Sequence, residues 1–233
     1  MSRWRSWIGR RPTLSTHQSE RIERWRARPA IDEQAAFDAI RWCVVDVESS
    51  GLDVRRDRLL AIGSVPVDAK RVLIGDAFHR LLRQAEPSST PNILIHRISG
   101  TQQLDGDEPA DVLLDFLEHI GATPLVAFHA RFDAFMLRRA MQSVLGVRLR
   151  CRWLDLAVLA PALHPETQAP SRSLDEWLAR YGIVTYQRHD ALADAVATAQ
   201  LLQVMFERAR AKGVSTVASL IALAEQGRWL GGR

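Results

Sequence analysis

Two cysteines, Cys43 and Cys151, stand far apart in a chain of 233 residues, each among apolar neighbours. That scarcity excludes a disulfide framework and a cysteine-based metal site. Long apolar runs are missing too. The start, MSRWRSWIGRR, carries charge but no hydrophobic stretch of signal-peptide length. The longest aliphatic run near the end, VASLIALA, is far too short to span a bilayer. No stable membrane insertion is expected, although Trp4, Trp7 and Ile8 among arginines have the make-up of a short interfacial helix. Internal repeats and low-complexity tracts are absent. The expectation is a cytoplasmic protein.

What is present is ordinary in amount and uneven in place. With 47% hydrophobic and 25% charged residues, the chain matches the average soluble domain. Its length suits one generous domain with tails, or two very small ones. The net charge of +4 is concentrated at the front: residues 1–28 hold eight arginines (3, 5, 10, 11, 21, 24, 26, 28) against Glu20 and Glu23. The pI of about 9.7 therefore belongs largely to a basic N-terminal arm, residues 1–35, with a helix over Ser19–Arg28 that Pro29 ends. Such an arm fits contact with phosphates on nucleic acid or anionic lipid, and fits a solubilising tail equally well.

The body opens with RWCVVDV, a buried-strand pattern, followed at short intervals by DRLLAIGSVPVD and RVLIGDAFHRLL. Three strand-like segments so closely joined predict an antiparallel meander. Residues 107–120 have the pattern of an amphipathic helix with Pro109 in its first turn, and 124–128 that of a short buried strand. Helices are then expected over 132–145, 154–162, 173–181, 190–211 and 215–227, the third opened by the capping box Ser173–Glu176 and closed at Gly182. Strands first and alternating elements afterwards predict an α/β domain with a mixed sheet.

Four acids occupy positions where an apolar residue belongs. Asp46 and Glu48, at i and i+2 of a strand, project from the same face. That pair fits a hard cation such as Mg²⁺ or Mn²⁺ between the carboxylates, or a strand end with both acids solvated. Asp133 is in helical register with Met136, Leu137, Ala140 and Met141, and Asp194 with Thr198, Leu201 and Met205. Each starts its helix, where an acid also suits the dipole. Asp190 is a candidate N-cap, which leaves His189 just outside the helix. Together the four acids would hold two divalent ions about 3.5–4 Å apart, an arrangement used for phosphodiester cleavage.

Three motifs in order carry a resemblance: VVDVESSGLD, AFHARFD and HDALADA. They resemble the acid-x-acid-TTG, HNAxFD and HxAxxDA motifs of the DEDDh 3′→5′ exonucleases, the DNA polymerase III epsilon subunit-like family with a ribonuclease H-like fold. LIHRIS and SLDEWLARYGI resemble intervening family segments, and the likeness spans about residues 41–205. It implies a ribonuclease H-like mixed β-sheet flanked by helices. The nuclease domain would cover 36–210, with a C-terminal helix over 211–233 packed on it.

By position, the resemblance implies that Asp46, Glu48 and Asp194 hold a first metal, that Asp46 bridges to a second, and that Asp133 supports the second partly through water. His189 would be the general base. Ser49, Ser50, Gly51 and Leu52 would line the 3′-terminal nucleotide, with Leu52 wedged against a base. His96, Ile98 and Ser99 would stand on its other side, though His96 and Ile98 suit ordinary packing as well. The chain departs from the family at Phe128-His129, which replace His-Asn and put two rings beside the strand entrance, and at Ser49-Ser50, which replace two threonines. Outside the motifs, Asp155 is expected to cap the helix after it, Glu118 and His119 to face solvent, and Trp153 and Trp177 to be core.

The implied function is 3′→5′ exonucleolysis of single-stranded DNA, releasing nucleoside 5′-monophosphates with two divalent cations, Mg²⁺ or Mn²⁺. An exoribonuclease acting on short RNA or RNA tails shares the motifs. A non-catalytic nucleic-acid-binding module is the alternative of another class; keeping His189 argues against it. Partners would be DNA or RNA 3′ ends, and a DNA polymerase is a candidate. With only about 28 residues beyond the likeness, a stand-alone nuclease is expected over a proofreading subunit.

Overall fold

In a computed structural model that describes residues 13–68, 71–165 and 173–230, five strands form one mixed sheet. The strands are β1 (Trp42–Ser49), β2 (Leu59–Val67), β3 (Phe78–Leu81), β4 (Leu125–Ala127) and β5 (Trp153–Asp155), in the order β3-β2-β1-β4-β5. The first three make the expected antiparallel meander, and β4 and β5 add in parallel on the other side of β1. The expected long strand over 71–82 is shorter. A 3₁₀ turn at Ile74–Asp76 takes up its first half and leaves four residues to pair.

Alternation along β1 divides the core. Trp42 and Val44 face a layer built from α6 (Leu156–Leu163), α7 (Leu174–Arg180), α8 (Ala191–Ala211) and α9 (Val217–Leu230). Cys43, Val45 and Val47 face the opposite layer, with α4 (Pro109–Ile120) and α5 (Arg131–Ala140). Trp177 is fully buried in the first layer and Trp153 half-buried against the second. The expected helix over 132–145 ends at Ala140, because a wider π turn, Met141–Leu145, closes on Gly146. Two short helices were not expected: α2 (Thr90–His96) and α3 (Gly100–Leu104), the latter opened by a Ser99–Gln102 capping box. β5 was not expected either, having been counted with the helix that follows it.

The N-terminal segment packs on the domain as far as it is described. Helix α1 (Thr16–Arg26) buries Ile22 and runs beside α4. Arg21 pairs with Asp115 and Glu118, each at 2.7 Å, Trp25 Nε1 donates to the Gly121 carbonyl at 2.8 Å, and Arg28 donates to the Glu118 carbonyl at 3.1 Å, near the negative end of α4. Arg3, Arg5, Arg10 and Arg11, and the interfacial-helix reading of Trp4, Trp7 and Ile8, lie outside the described residues. At the other end, α9 packs against α6.

His119 corrects an expectation. Instead of facing solvent it turns inward beside Phe78 and Phe116, with Nε2 3.5 Å from Cys43 Sγ. Burial pushes its pKa down to about 4. Glu118 is exposed as expected. No helix among the described residues is long and apolar enough to cross a membrane.

Candidate active site

Asp46 and Glu48 share the β1 face that carries Trp42 and Val44, so they lie under the layer to which α8 belongs. Asp46 pairs across the sheet with Gly63. A Cβ at Gly63 would sit 2.1 Å from the backbone carbon of Ala191, so only glycine lets the first turn of α8 rest on β2. That close approach delivers Asp194. Carboxylate oxygens of Asp46, Glu48 and Asp194 lie within 4.8 Å of one another.

Asp133 arrives from the opposite layer. Strand β4 pairs with β1 only at Cys43 and Val44; further along, the Val47 N–H donates to Asp133 Oδ1 at 3.1 Å. The acid is buried at the start of α5, and its charge acts on Asp46 ahead of those of Glu48 and Asp194.

Burial and repulsion give Asp46, Glu48 and Asp133 a common electrostatic signature. Burial first, then Asp133, Glu48 and Asp194, raise the pKa of Asp46 well above the usual carboxylate range. Burial and Asp194 push Glu48 up to about 8, and burial pushes Asp133 up to about 7. Clustered oxygen donors that resist ionisation for want of positive charge suit a hard divalent cation. Arg188 brings a positive charge beside them. Its guanidinium pairs with Asp194 Oδ1 and, at 2.6 Å, with Asp175 on α7.

His189 is exposed, in a left-handed turn at φ 61°, and its backbone N–H donates to Asp194 Oδ2 at 3.0 Å. Asp190 caps α8 by accepting from the Ala193 N–H at 2.9 Å. Asp155 caps α6 and also accepts the His129 N–H at 3.0 Å.

The residues expected around a terminal nucleotide divide by exposure. Leu52 is 89% exposed, and His129 is exposed beside half-buried Phe128, ring centroids 4.9 Å apart. Ser49 Oγ donates to the Gly51 carbonyl at 2.6 Å, and Ser50 Oγ donates to Asp57 Oδ1 at 2.9 Å, so both hydroxyls brace the turn itself. Ile98 packs with Leu60, Ala61 and Ala191, next to the start of α8, and Ser99 is spent on capping α3. His96 is buried. Its Nδ1 accepts the Ile98 N–H at 3.1 Å and its Nε2 lies 3.0 Å from Ser88 Oγ, so the ring holds the 96–99 turn. Asn92 and Arg188 were missed: Asn92 ties α2 to the Ser50 carbonyl. Arg188 stands directly before His189, a weak signal without the fold.

The family model described as Exonuclease matches residues 43–202. The chain belongs to the exonuclease family. Over 190 residues it is 26% identical to DNA polymerase III PolC-type of Thermotoga maritima, covering 82% of this chain and 14% of that protein. Over 174 residues it is 30% identical to the PolC-type polymerase of Bacillus subtilis, covering 74% of this chain and 12% of that protein. A DNA polymerase III subunit epsilon-like protein of Rhodobacter capsulatus is 27% identical over 191 residues, 81% of this chain and 27% of that protein. The chain therefore matches about a seventh of the length of the first of these polymerases.

Among solved structures, E. coli Exonuclease I in complex with a dT13 oligonucleotide aligns with a TM-score of 0.60 at 19% identity, over 74% of this chain and 42% of that one. Exonuclease X in complex with 5′ overhanging duplex DNA aligns with a TM-score of 0.60 at 21% identity, over 78% and 99%. This exonuclease-family chain thus has the ribonuclease H-like fold: a mixed sheet with helices on both faces.

Proposed function

We propose that this exonuclease-family chain hydrolyses phosphodiester bonds from the 3′ end of single-stranded DNA and releases nucleoside 5′-monophosphates. The observation that carries the reading is the convergence of Asp46, Glu48 and Asp194 within 4.8 Å, with His189 exposed at the same helix start. Asp46, Glu48 and Asp194 would hold one divalent cation, Mg²⁺ or Mn²⁺, and Asp133 with Asp46 would serve a second. Such ions supply charge stabilisation for an in-line displacement at phosphorus.

The chain's own groups do the rest. Asp194 fixes the His189 backbone while its carboxylate faces the acids, so base and ligand keep a constant relation. The exposed imidazole takes the proton from the attacking water at an unprotonated ring nitrogen. The 49–52 turn, braced by Asp57 and by Asn92, offers its backbone and Leu52 to the terminal nucleotide. The polymerase III relatives make a polymerase a candidate partner, one that co-purification would reveal.

The test is degradation of 3′-labelled single-stranded DNA, duplex DNA and RNA with Mg²⁺, Mn²⁺ or EDTA, beside Asp46→Ala and His189→Ala. Single-stranded DNA is expected to be degraded fastest, with metal, and by the unaltered protein alone. Activity that survives EDTA or Asp46→Ala would sink the mechanism, and faster degradation of RNA would reassign the substrate.

A further inference from the structure

Outside the acidic centre, the outer face of α5 carries Arg131, Phe135, Arg138 and, beyond the helix end, Gln142, all exposed. Spacings of four, three and four residues put them in one row. The row starts two residues before Asp133 and leads away from the site. It ends at a cavity of about 610 Å³ lined by Arg26, Arg28, Arg148, Arg150 and Arg152, with Trp25 at its wall. The cavity lies where the chain enters β4 and β5, whereas the acids lie towards the opposite, C-terminal end of β1. Row and cavity are continuous, since Gln142, the last residue of the row, also lines the cavity.

Several of these guanidiniums already have work. Arg152 pairs with Glu33 at 2.9 Å, Arg26 with Glu23 at 2.7 Å, and Arg28 serves α4. The guanidiniums of Arg131, Arg138, Arg148 and Arg150 have no ion pair or hydrogen bond to any described residue. Exposed, unneutralised guanidiniums in a line, with an exposed aromatic ring between two of them, are the elements of a single-strand track: charge for the backbone and a stacking face for a base.

We propose that this track holds the strand 5′ of the end being cleaved, with Phe135 under a base and Arg131, Arg138, Arg148 and Arg150 on phosphates along it. The proposal rests on the exonuclease reading above. Residues 131–145 span roughly 20 Å at 1.5 Å per residue, more than one nucleotide of an extended single strand covers. A free nucleotide would fill the cavity alone and would leave the α5 row unused.

The test is binding of labelled oligothymidylates of 4 and 24 nucleotides to the full chain in EDTA, by fluorescence anisotropy across a salt series. The variants are R138Q/R148Q/R150Q and, separately, F135A, both at exposed positions and both checked by thermal melting. The triple variant is expected to flatten the salt slope for the 24-mer by roughly 2, at about 0.7 for each phosphate that is no longer neutralised. It should also lower the ratio of 24-mer to 4-mer affinity. F135A is expected to weaken the 24-mer without changing the slope. An unchanged slope and ratio in the triple variant overturns the track. So does tight binding of inorganic triphosphate that depends on these arginines while the 24-mer does not. Mg²⁺-dependent degradation by the unaltered protein judges the exonuclease reading separately: a degrading protein with an unaltered slope loses only the track.

Discussion

The turn before α5 and the turn before α8 both place a histidine in the left-handed region, His129 at φ 62° and His189 at φ 61°. In both, the histidine's backbone N–H donates to a carboxylate at 3.0 Å. At His189 the acceptor is Asp194, a member of the acidic trio. At His129 it is Asp155, at the end of β5, which also caps α6. Left-handed backbone costs a residue with a side chain about 1–2 kcal/mol, so each turn needs its carboxylate. In the proposed mechanism the second turn would combine that support with metal binding in one side chain, whereas the first would divide the tasks between Asp155 and Asp133.

Exchanging the supporting acids separates the two arrangements most strongly. Asp194→Ala removes a ligand and releases His189 together, and Mg²⁺-dependent degradation should fall to background. Asp155→Ala should cost about 1–2 kcal/mol in a denaturant titration, as removal of a helix cap does, and leave more activity. Comparable losses of activity would show that the turns are not divided as described.

Glycine at each histidine comes next. His189→Gly keeps the backbone geometry and deletes the imidazole, so kcat should drop about 10²–10⁴-fold, the usual worth of a general base. His129→Gly relieves the same backbone and should change Tm similarly, with its kinetic effect in KM for oligonucleotide. Equal losses of kcat would mean that both imidazoles take part in the chemistry.

A smaller effect reaches only the α8 side. Gly63→Ala drives a methyl group into the Ala191 backbone, and overpacking of that kind costs roughly 1–3 kcal/mol. Thermal melts should show the loss, and calorimetric titration should show weaker Mg²⁺ binding. An unchanged melt would mean that α8 can lift without consequence.

The pH effect is the mildest. Glu48 at about 8 and Asp133 at about 7 bind protons in the metal-free fold that an unfolded chain releases near pH 4–5. Their contribution to stability is therefore fully present below about pH 4 and lost progressively as pH rises from there through 7 to 8. Metal-free Tm should fall over that interval, and the rise in Tm on adding Mg²⁺ should grow over the same interval. A Mg²⁺ effect independent of pH would contradict the raised values.

The acidic residues were legible because each is a local contradiction: a carboxylate at a strand or helix position that periodicity assigns to the core. Asp190 and the Ser173–Glu176 box were legible for the same reason, since capping is decided within four residues. β5 was not, because WLD runs without a break into the apolar α6 and three residues carry no period of their own. His119 was misplaced because Cys43 and Phe78, which draw it inward, are distant in sequence. Gly63 passed as an ordinary strand glycine until α8 lay across it. The link from the α5 row to Arg148 and Arg150 was hidden because the π turn ends the helical register before them, and they meet Gln142 only at the cavity.

Arg188 gives the acidic centre its own counter-ion. Held by Asp175 on one side and Asp194 on the other, the guanidinium keeps a positive charge at the acids when no metal is bound. A divalent ion bound there, as proposed above, would have to compete with that guanidinium for Asp194. Its apparent affinity would then depend on what Arg188 gives up as much as on what the carboxylates gain, and the Asp175 pair would still hold the guanidinium nearby.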